Sequence, residues 1–244
     1  MFGEFNDPFE LVPGNYVATL PPSEAEVFYY KIHDPANYYD YYMDVQSGVR
    51  AIIGVICFTS KKDNLLMWAH YAKNHTGICI EFDATALFFN GQYKDSCEGL
   101  FGNGTKTDLY ANIGEIKQVR YSKKRPLFID PSEISSDTDF WFIKSEDWSY
   151  EEEYRILLPL EYAIYEKNIQ FYKIDKNIIK SVILGCQMTR KIKAEVYSIC
   201  SSLGIQVKET FANSTEFKLD IVDYHPDNHD KQINIYNLAK ITKW

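Results

Sequence analysis

Residues Cys57–Asp83 read CFTSKKDNLLMWAHYAKNHTGICIEFD, and the succession of patterns within them decides the fold class. The stretch begins inside Ala51–Thr59, AIIGVICFT, an almost wholly apolar run rich in Ile and Val. That is the pattern of a strand buried on both faces, and it makes this run the best candidate for a central strand. Asp63 or Asn64 can then cap a helix running to about Asn74, which puts Leu65, Trp68, Ala69 and Ala72 on one apolar stripe. Gly77 supplies its stop. Ile78, Ile80 and Phe82 next alternate with Cys79, Glu81 and Asp83, the period of a half-buried strand. Trp68, His70, Tyr71 and His75 are thereby gathered around one short helix between two strands, which is the layout of a site scaffold.

Further strands are expected at Glu115–Tyr121, Tyr150–Leu158, Asn168–Ile174, Lys180–Gly185, Ile205–Phe211 and Phe217–Val222. Helices are expected from Thr189 to Ser202, stopped by Gly204, and in a short piece between Phe140 and Trp148. Near the start, Gly3–Glu10 carries turn chemistry, Ser23 to about Tyr30 has a capping box at Ser23 and Glu26, and a second, Tyr-rich helical piece follows Pro35. Strands and helices mix without a regular β-α-β alternation, so the expectation is an α+β fold with a single mixed, twisted or split β-sheet and packed helices. No linker or repeat divides the 244 residues, which are read as one domain, 1–244, with residues 223–244 as a polar C-terminal extension.

Composition narrows the function classes. A net charge of −8 argues against a protein that grips bulk duplex nucleic acid, because such binding rests on neutralising phosphates. Lys123-Lys124-Arg125-Pro126 is a short basic run that reads as a solvated turn. The cysteines, Cys57, Cys79, Cys97, Cys186 and Cys200, form no C-x-x-C pair and imply free thiols in a reducing compartment. With no leader pattern and no apolar run of about 18 residues, the chain is expected to be cytoplasmic and away from membranes. Of the 19 tyrosines, Tyr29, Tyr30, Tyr38, Tyr39, Tyr41 and Tyr42 form a cluster that suits partly buried packing, although a stacking platform for bases would use the same residues.

The second informative stretch is WSYEEEYRI, Trp148–Ile156. Strand periodicity puts Glu151, Glu153 and Arg155 on one face and Tyr150, Glu152 and Tyr154 on the other. Because the strand continues into Ile156-Leu157-Leu158, at least one carboxylate is expected near burial and needs a partner such as Arg155 or Lys144. A paired carboxylate of this kind is equally a catalytic candidate and a structural ion pair. His70 flanks the apolar stripe of its helix, where an imidazole can donate or exchange a proton. His70 and His75 are spaced i, i+5, which turns the rings about 140° apart instead of onto one face, so no bound metal is expected. GLFGNGTKT, Gly99–Thr107, resembles a phosphate-binding loop with one residue too many and no strand feeding it, so it reads as a surface loop. Cys57 or Ser60 with His70 lacks any nucleophile-elbow signature.

NDPFE, CFTS, NLLMWAHYAKNHTGICIEFD, QVRYSKKRP, K-x3-W-x-Y-E-x-E-Y-R and VILG occur here in one order between Phe5 and about Gly185. As a set they resemble the bacterial domain-of-unknown-function family twenty-nine seventy-one (DUF2971). Members commonly carry an additional N-terminal Lys-Tyr strand and helix before the Asn-Asp-Pro-Phe motif, so the resemblance implies a missing N-terminal part. The layout, with a central site helix and a late strand bearing Glu-x-Glu, is similar to the split sheet of ADP-ribosyltransferases. That analogy implies Glu153 first and Glu151 second as the carboxylate that stabilises an oxocarbenium-like transition state. Trp68, His70 and Tyr71 would line the pocket, Trp148 would bind substrate or cofactor, and Arg155 or Lys144 would face phosphate. The implied role is an NAD-using, ADP-ribosyltransferase-like effector in bacterial stress or phage defence, with NAD as substrate and no tightly bound cofactor. Two alternatives stay open: a non-catalytic sensor domain binding a small-molecule nucleotide or a protein partner, and a metal-dependent hydrolase or nuclease using Asp83, Glu151 and Glu153.

Overall fold

The computed structural model describes residues 53–93, 113–124, 139–167 and 169–228. The expected N-terminal turn and helices, the tyrosine cluster, Cys97, the Gly99–Thr107 loop and the chain after residue 228 lie outside them. In chain order the elements are β1 (Ile53–Thr59), α1 (Leu65–Tyr71), β2 (Ile78–Phe82), β3 (Lys117–Gln118), β4 (Arg120–Ser122), β5 (Ile143–Ser145), β6 (Glu153–Pro159), β7 (Ile164–Glu166), β8 (Ile169–Phe171), β9 (Ile179–Leu184), α2 (Arg190–Leu203), β10 (Gln206–Ala212) and β11 (Leu219–Asp223). Among the described residues the content is mixed α and β, as expected, and it is arranged in several small sheets with few helices. The chain divides into two compact units, one from residues 1–60 and 84–173 and the other from 61–83 and 174–244.

In the first unit, β6 lies between β1 and β3 and is antiparallel to both. The pairing with β1 runs from Ile53 opposite Pro159 to Thr59 opposite Glu153. The central strand among the described residues is therefore β6, and β1, expected at the centre, stands at an edge. The burial explains why: Arg155 to Pro159 are all buried, whereas β1 is buried only at Ile53. The Ile-Val run was matched by a partner richer in buried apolar residues. Phe88 and Phe89 close the core in edge-to-face contact at 5.0 Å, and Phe58 meets Phe89 at 5.4 Å. β4 pairs in parallel with β5, whereas β7 pairs antiparallel with β8 in a hairpin whose turn residue Lys167 has φ 50°.

The expected strand from Tyr150 starts three residues late, because Glu146–Glu151 form a 3-10 helix and Glu152 then takes a left-handed conformation, φ 43° and ψ 52°. The short helix expected between Phe140 and Trp148 is likewise replaced by a 3-10 turn at Asp139–Phe142 followed by β5. Even so, Glu151, Glu153 and Arg155 are buried while Tyr150, Glu152 and Tyr154 are only half-buried, so the anticipated alternation of faces holds across the irregular junction.

The second unit is a four-stranded sheet in the order β11-β10-β9-β2, parallel between β9 and β10 and antiparallel elsewhere. A parallel pair needs a crossover, and α2 supplies it. Thr189 caps α2 and Gly204, φ 74°, ends it, as the sequence implied. Val182, Leu184 and Val207 cluster with Met188 and Cys200 below α2, while Ile183 and Leu219 cluster with Trp68 and Ala72. Since alternate strand residues point to opposite faces, α1 and α2 cover the two sides of this sheet. Ile78 and Ile80 are exposed, and it is Cys79 that packs against the Trp68 cluster.

Asn64 caps α1, its Oδ1 accepting from Leu66 N at 2.9 Å and Met67 N at 3.3 Å. The helix ends at Tyr71, short of the expected Asn74, because Lys73, Asn74 and His75 all adopt left-handed backbone, with φ 48°, 52° and 62°. That turn brings the His75 carbonyl to Gln187 N and the Gly77 carbonyl to Gly185 N, both at 3.0 Å. A Cβ on residue 185 would overlap the His75 carbonyl, so this closure requires glycine there.

Candidate functional site

The first unit holds a buried cluster of four charges. Lys144 arrives on β5, Glu151 at the end of the 3-10 helix, and Glu153 and Arg155 on β6. Lys144 Nζ donates to Glu151 Oε2 at 2.7 Å and to Glu153 Oε2 at 3.2 Å. Arg155 Nε donates to Glu153 Oε1 at 2.7 Å, its second terminal nitrogen reaches Glu153 Oε2 at 3.2 Å, and its first donates to the Trp141 carbonyl at 2.7 Å. All four side chains are 5% exposed or less. Two cations and two carboxylates balance formally, which is what allows the group to be buried.

The left-handed Glu152 makes this arrangement possible. It lets Glu151 and Glu153 both turn inward, while its own carboxylate accepts from Ser60 Oγ at 2.7 Å. Ser60 N meets the Glu152 carbonyl at 3.2 Å, and Thr59 Oγ1 donates to the Glu151 carbonyl at 2.6 Å, so the end of β1 clamps the turn. Tyr121 on β4 accepts from the Glu153 backbone N–H at 2.8 Å.

Burial lifts the Glu153 carboxyl above its ordinary range, against the opposing attraction of Lys144 and a hydrogen bond from Cys57. Cys57 keeps part of its surface in solvent, yet the protein packed around its thiol and the Glu153 carboxylate push that thiol well above the usual range. It stays protonated and donates, the opposite of what a nucleophilic cysteine requires. Tyr121 is pushed up to about 12, chiefly by burial. Over Lys144 lies the Trp148 ring, its centroid 4.9 Å from Nζ, and Trp148 is tilted against Tyr150 at 6.0 Å. Both rings are half-buried, with an apolar face beside a fixed cation.

Of the residues singled out in the sequence, Lys144, Trp148, Glu151, Glu153 and Arg155 are brought together. Trp68, His70 and Tyr71 belong to the second unit, on α1. Trp68 is buried there as a core residue, its indole N–H donating to the Lys62 carbonyl at 2.8 Å. His70 and Tyr71 are exposed and meet edge-on at 6.5 Å. Asp83 is also in that unit, paired with Lys180 at 3.5 Å. Among the described residues no three His, Cys, Asp or Glu side chains are grouped to hold a metal ion. Sequence reasoning passed over Thr59 and Tyr121, and weighed Cys57 and Ser60 only as nucleophiles. For the residues of β1 the signal is register: pairing β1 with the Glu-x-Glu strand sets Cys57 opposite Arg155 and Thr59 opposite Glu153.

Residues 67–156 match the family described as a protein of unknown function, DUF2971, in agreement with the motif set. The matched span contains α1 from Met67 onward, β2 and the whole buried cluster up to Ile156. No curated protein and no solved structure matches the chain. No helix among the described residues is long and apolar enough to cross a membrane.

Proposed function

We propose that this chain is a non-catalytic sensor domain that binds a small-molecule nucleotide, with the half-buried Trp148–Tyr150 pair as the stacking surface for its base. The observation that carries the reading is the engagement of the two candidate carboxylates. Both oxygens of Glu153 are held by Arg155 and Lys144, and Glu151 is held by Lys144, all in a nearly solvent-free setting. A carboxylate that must meet a ribose hydroxyl needs an open lone pair and an approach path. Prising one partner from a buried pair costs about 3–5 kcal/mol, a heavy charge on every turnover. The same cluster serves well as a rigid, neutral base under an aromatic platform, where stacking on one ring contributes about 1–3 kcal/mol per base.

A second reading is favoured by one observation, the lifted Glu153 carboxyl, since a carboxyl displaced by burial beside aromatic rings is a feature of catalytic sites. In that reading Glu153 serves an NAD-using, ADP-ribosyltransferase-like reaction, and an effector role in bacterial stress or phage defence follows from it. The test is calorimetric titration of the purified chain with NAD, ADP and GTP, alongside chromatography for released nicotinamide. Binding that is lost in folded Trp148→Ala, without nicotinamide release, is the expected result. Release that disappears in folded Glu153→Gln would replace the sensor reading with the transferase. Neither binding nor release would sink both and leave a protein partner as the ligand.

A further inference from the structure

We propose that β2 is the seam of a homodimer, in which the strand pairs antiparallel with β2 of a second copy of this chain about a twofold axis at Ile80. The four-stranded sheet ends at β2, and no strand lies beyond it among the described residues. Gly185 N donates to the Gly77 carbonyl across the β2–β9 ladder, and Ile78 stands opposite Leu184 in the same register. In such a ladder the N–H and C=O of one residue turn to the same side and those of the next residue to the other, so Cys79 and Glu81 also direct theirs to β9. The N–H and C=O groups of Ile78 and Ile80 therefore point away from the sheet.

A row of outward N–H and C=O groups fixes the chemistry of what covers it, because only another extended backbone matches its spacing. A second copy of the same strand fits. Antiparallel pairing centred on Ile80 sets Ile80 opposite Ile80 of the second copy as a hydrogen-bonded pair and Ile78 opposite Phe82, so the outward groups of each copy meet those of the other. Cys79 then falls opposite Glu81, whose carboxylate is already met by Lys62 and Lys208, and no like charges confront each other in the seam. Nothing blunts this edge: Ile78–Glu81 contains no Pro or Lys, and the irregularity in the ladder falls after Glu81. The opposite edge strand, β11, follows Lys218 and carries Asp220 and Asp223, charges that ward off strand addition.

The side chains agree. Ile78 and Ile80 are 42% and 41% exposed on the sheet face that carries α2, since their partners on β9, Leu184 and Val182, pack with Met188 and Cys200. On α2 itself, Ile192, Ile199 and Leu203 form one exposed stripe at helical spacing. Tyr197, which meets Tyr224 just beyond β11, lies about 140° round the helix from Ile192, with the buried Lys193 and Cys200 between them. The stripe is therefore on the flank toward β2, and with Ile78 and Ile80 it makes a continuous apolar face of the kind that marks an interface. The twofold axis brings the second copy's stripe to the far side of the seam, so the four isoleucines of the paired strands lie between two apolar helix flanks.

The test is analytical ultracentrifugation of the full chain over a range of concentrations, with Ile80→Lys and Ile80→Pro as variants. Both act on the open side of β2, lysine by opposing two cations across the axis and proline by deleting an outward N–H, and neither removes a bond to β9. The expected result is a dimer of the unaltered chain and, in both variants, dimerisation weakened at least about 30-fold. Amide hydrogen exchange reads the same seam without a substitution: raising the concentration of the unaltered chain slows exchange at Ile78 and Ile80, while Cys79 and Glu81, already bonded to β9, hardly change. A chain that stays monomeric, a dimer that both variants leave intact, or exchange at Ile78 and Ile80 that is indifferent to concentration would each overturn the proposal.

Discussion

Glu153 and Glu81 are both carboxylates met by two cations, one in each unit, and they respond to their surroundings in opposite ways. Glu81 on β2 accepts from Ser181 Oγ at 2.6 Å, Lys62 Nζ at 2.9 Å and Lys208 Nζ at 3.1 Å. Partly open to water, it gives up little hydration, and these partners, Ser181 first, lower it to about 2. Glu153 has an arginine and a lysine at similar distances, yet burial outweighs them and lifts it. Partner count alone therefore does not predict the sign of a shift. The desolvation of the carboxylate decides it.

The largest effect expected from breaking this contrast is at the buried end. Glu153→Ala leaves Arg155 buried without its main counter-ion and Lys144 with one carboxylate fewer, and should destabilise the first unit by about 3–5 kcal/mol in urea unfolding. Lys193 and Glu209, paired at 2.8 Å and almost wholly buried between α2 and β10, give a control in the second unit. Lys193→Ala should cost about as much, while the double change Lys193→Met with Glu209→Leu should be near neutral or stabilising. A double variant as unstable as the single one would show that the pair is not replaceable by packing.

Gly185→Ala comes next. A methyl group there collides with the His75 carbonyl and must open the α1–β2 turn, an overpacking cost of about 1–3 kcal/mol read as a lowered melting temperature. The pH dependence sharpens the comparison with a smaller effect. Glu81 is depressed in the folded state, so its contribution is fully present above the unfolded value near 4.5 and is lost as the pH falls toward about 2. Glu153 is raised, so its contribution has the opposite slope and weakens as the pH rises through its folded value. Unfolding of Glu81→Gln between about pH 5 and 2 should show a shallower acid loss than the unaltered chain. The smallest effect is Phe217→Ser, at a wholly exposed side chain, within about 0.5 kcal/mol by thermal melting.

Much of this was legible in the chain where a local rule governs. Asn64 and Thr189 cap helices by short-range hydrogen bonds, Gly204 ends one, and the alternation at Glu151, Glu153 and Arg155 foretold which charges would be buried and which cations would meet them. The misplaced features are those set by distant partners. AIIGVICFT has the composition of a central strand, but its place depends on pairing with β6, almost a hundred residues on. GICIEFD carries a clear period of two, yet burial of Cys79 and exposure of Ile78 and Ile80 follow from where Trp68 packs. The left-handed run Lys73–His75 has no glycine to announce it, because the constraint sits at Gly185. The analogy with ADP-ribosyltransferases groups Trp68, His70 and Tyr71 with the Glu-x-Glu strand, but it carries no information about which compact unit each joins.

The division of the chain also has a temporal side. The second unit is assembled from residues 61–83 and a part that resumes at 174, with the first unit's remaining sequence between them. At typical rates of about 5–20 residues per second, a ribosome needs roughly 5–20 s to deliver that intervening stretch. Throughout that interval β2 has been made but β9, its partner in the sheet, has not. Ile78, Cys79 and Ile80 wait on an unpaired strand edge, the kind of surface that recruits chaperones or neighbouring chains. For this molecule the hazard of synthesis falls early, on a strand whose finished surroundings are supplied last.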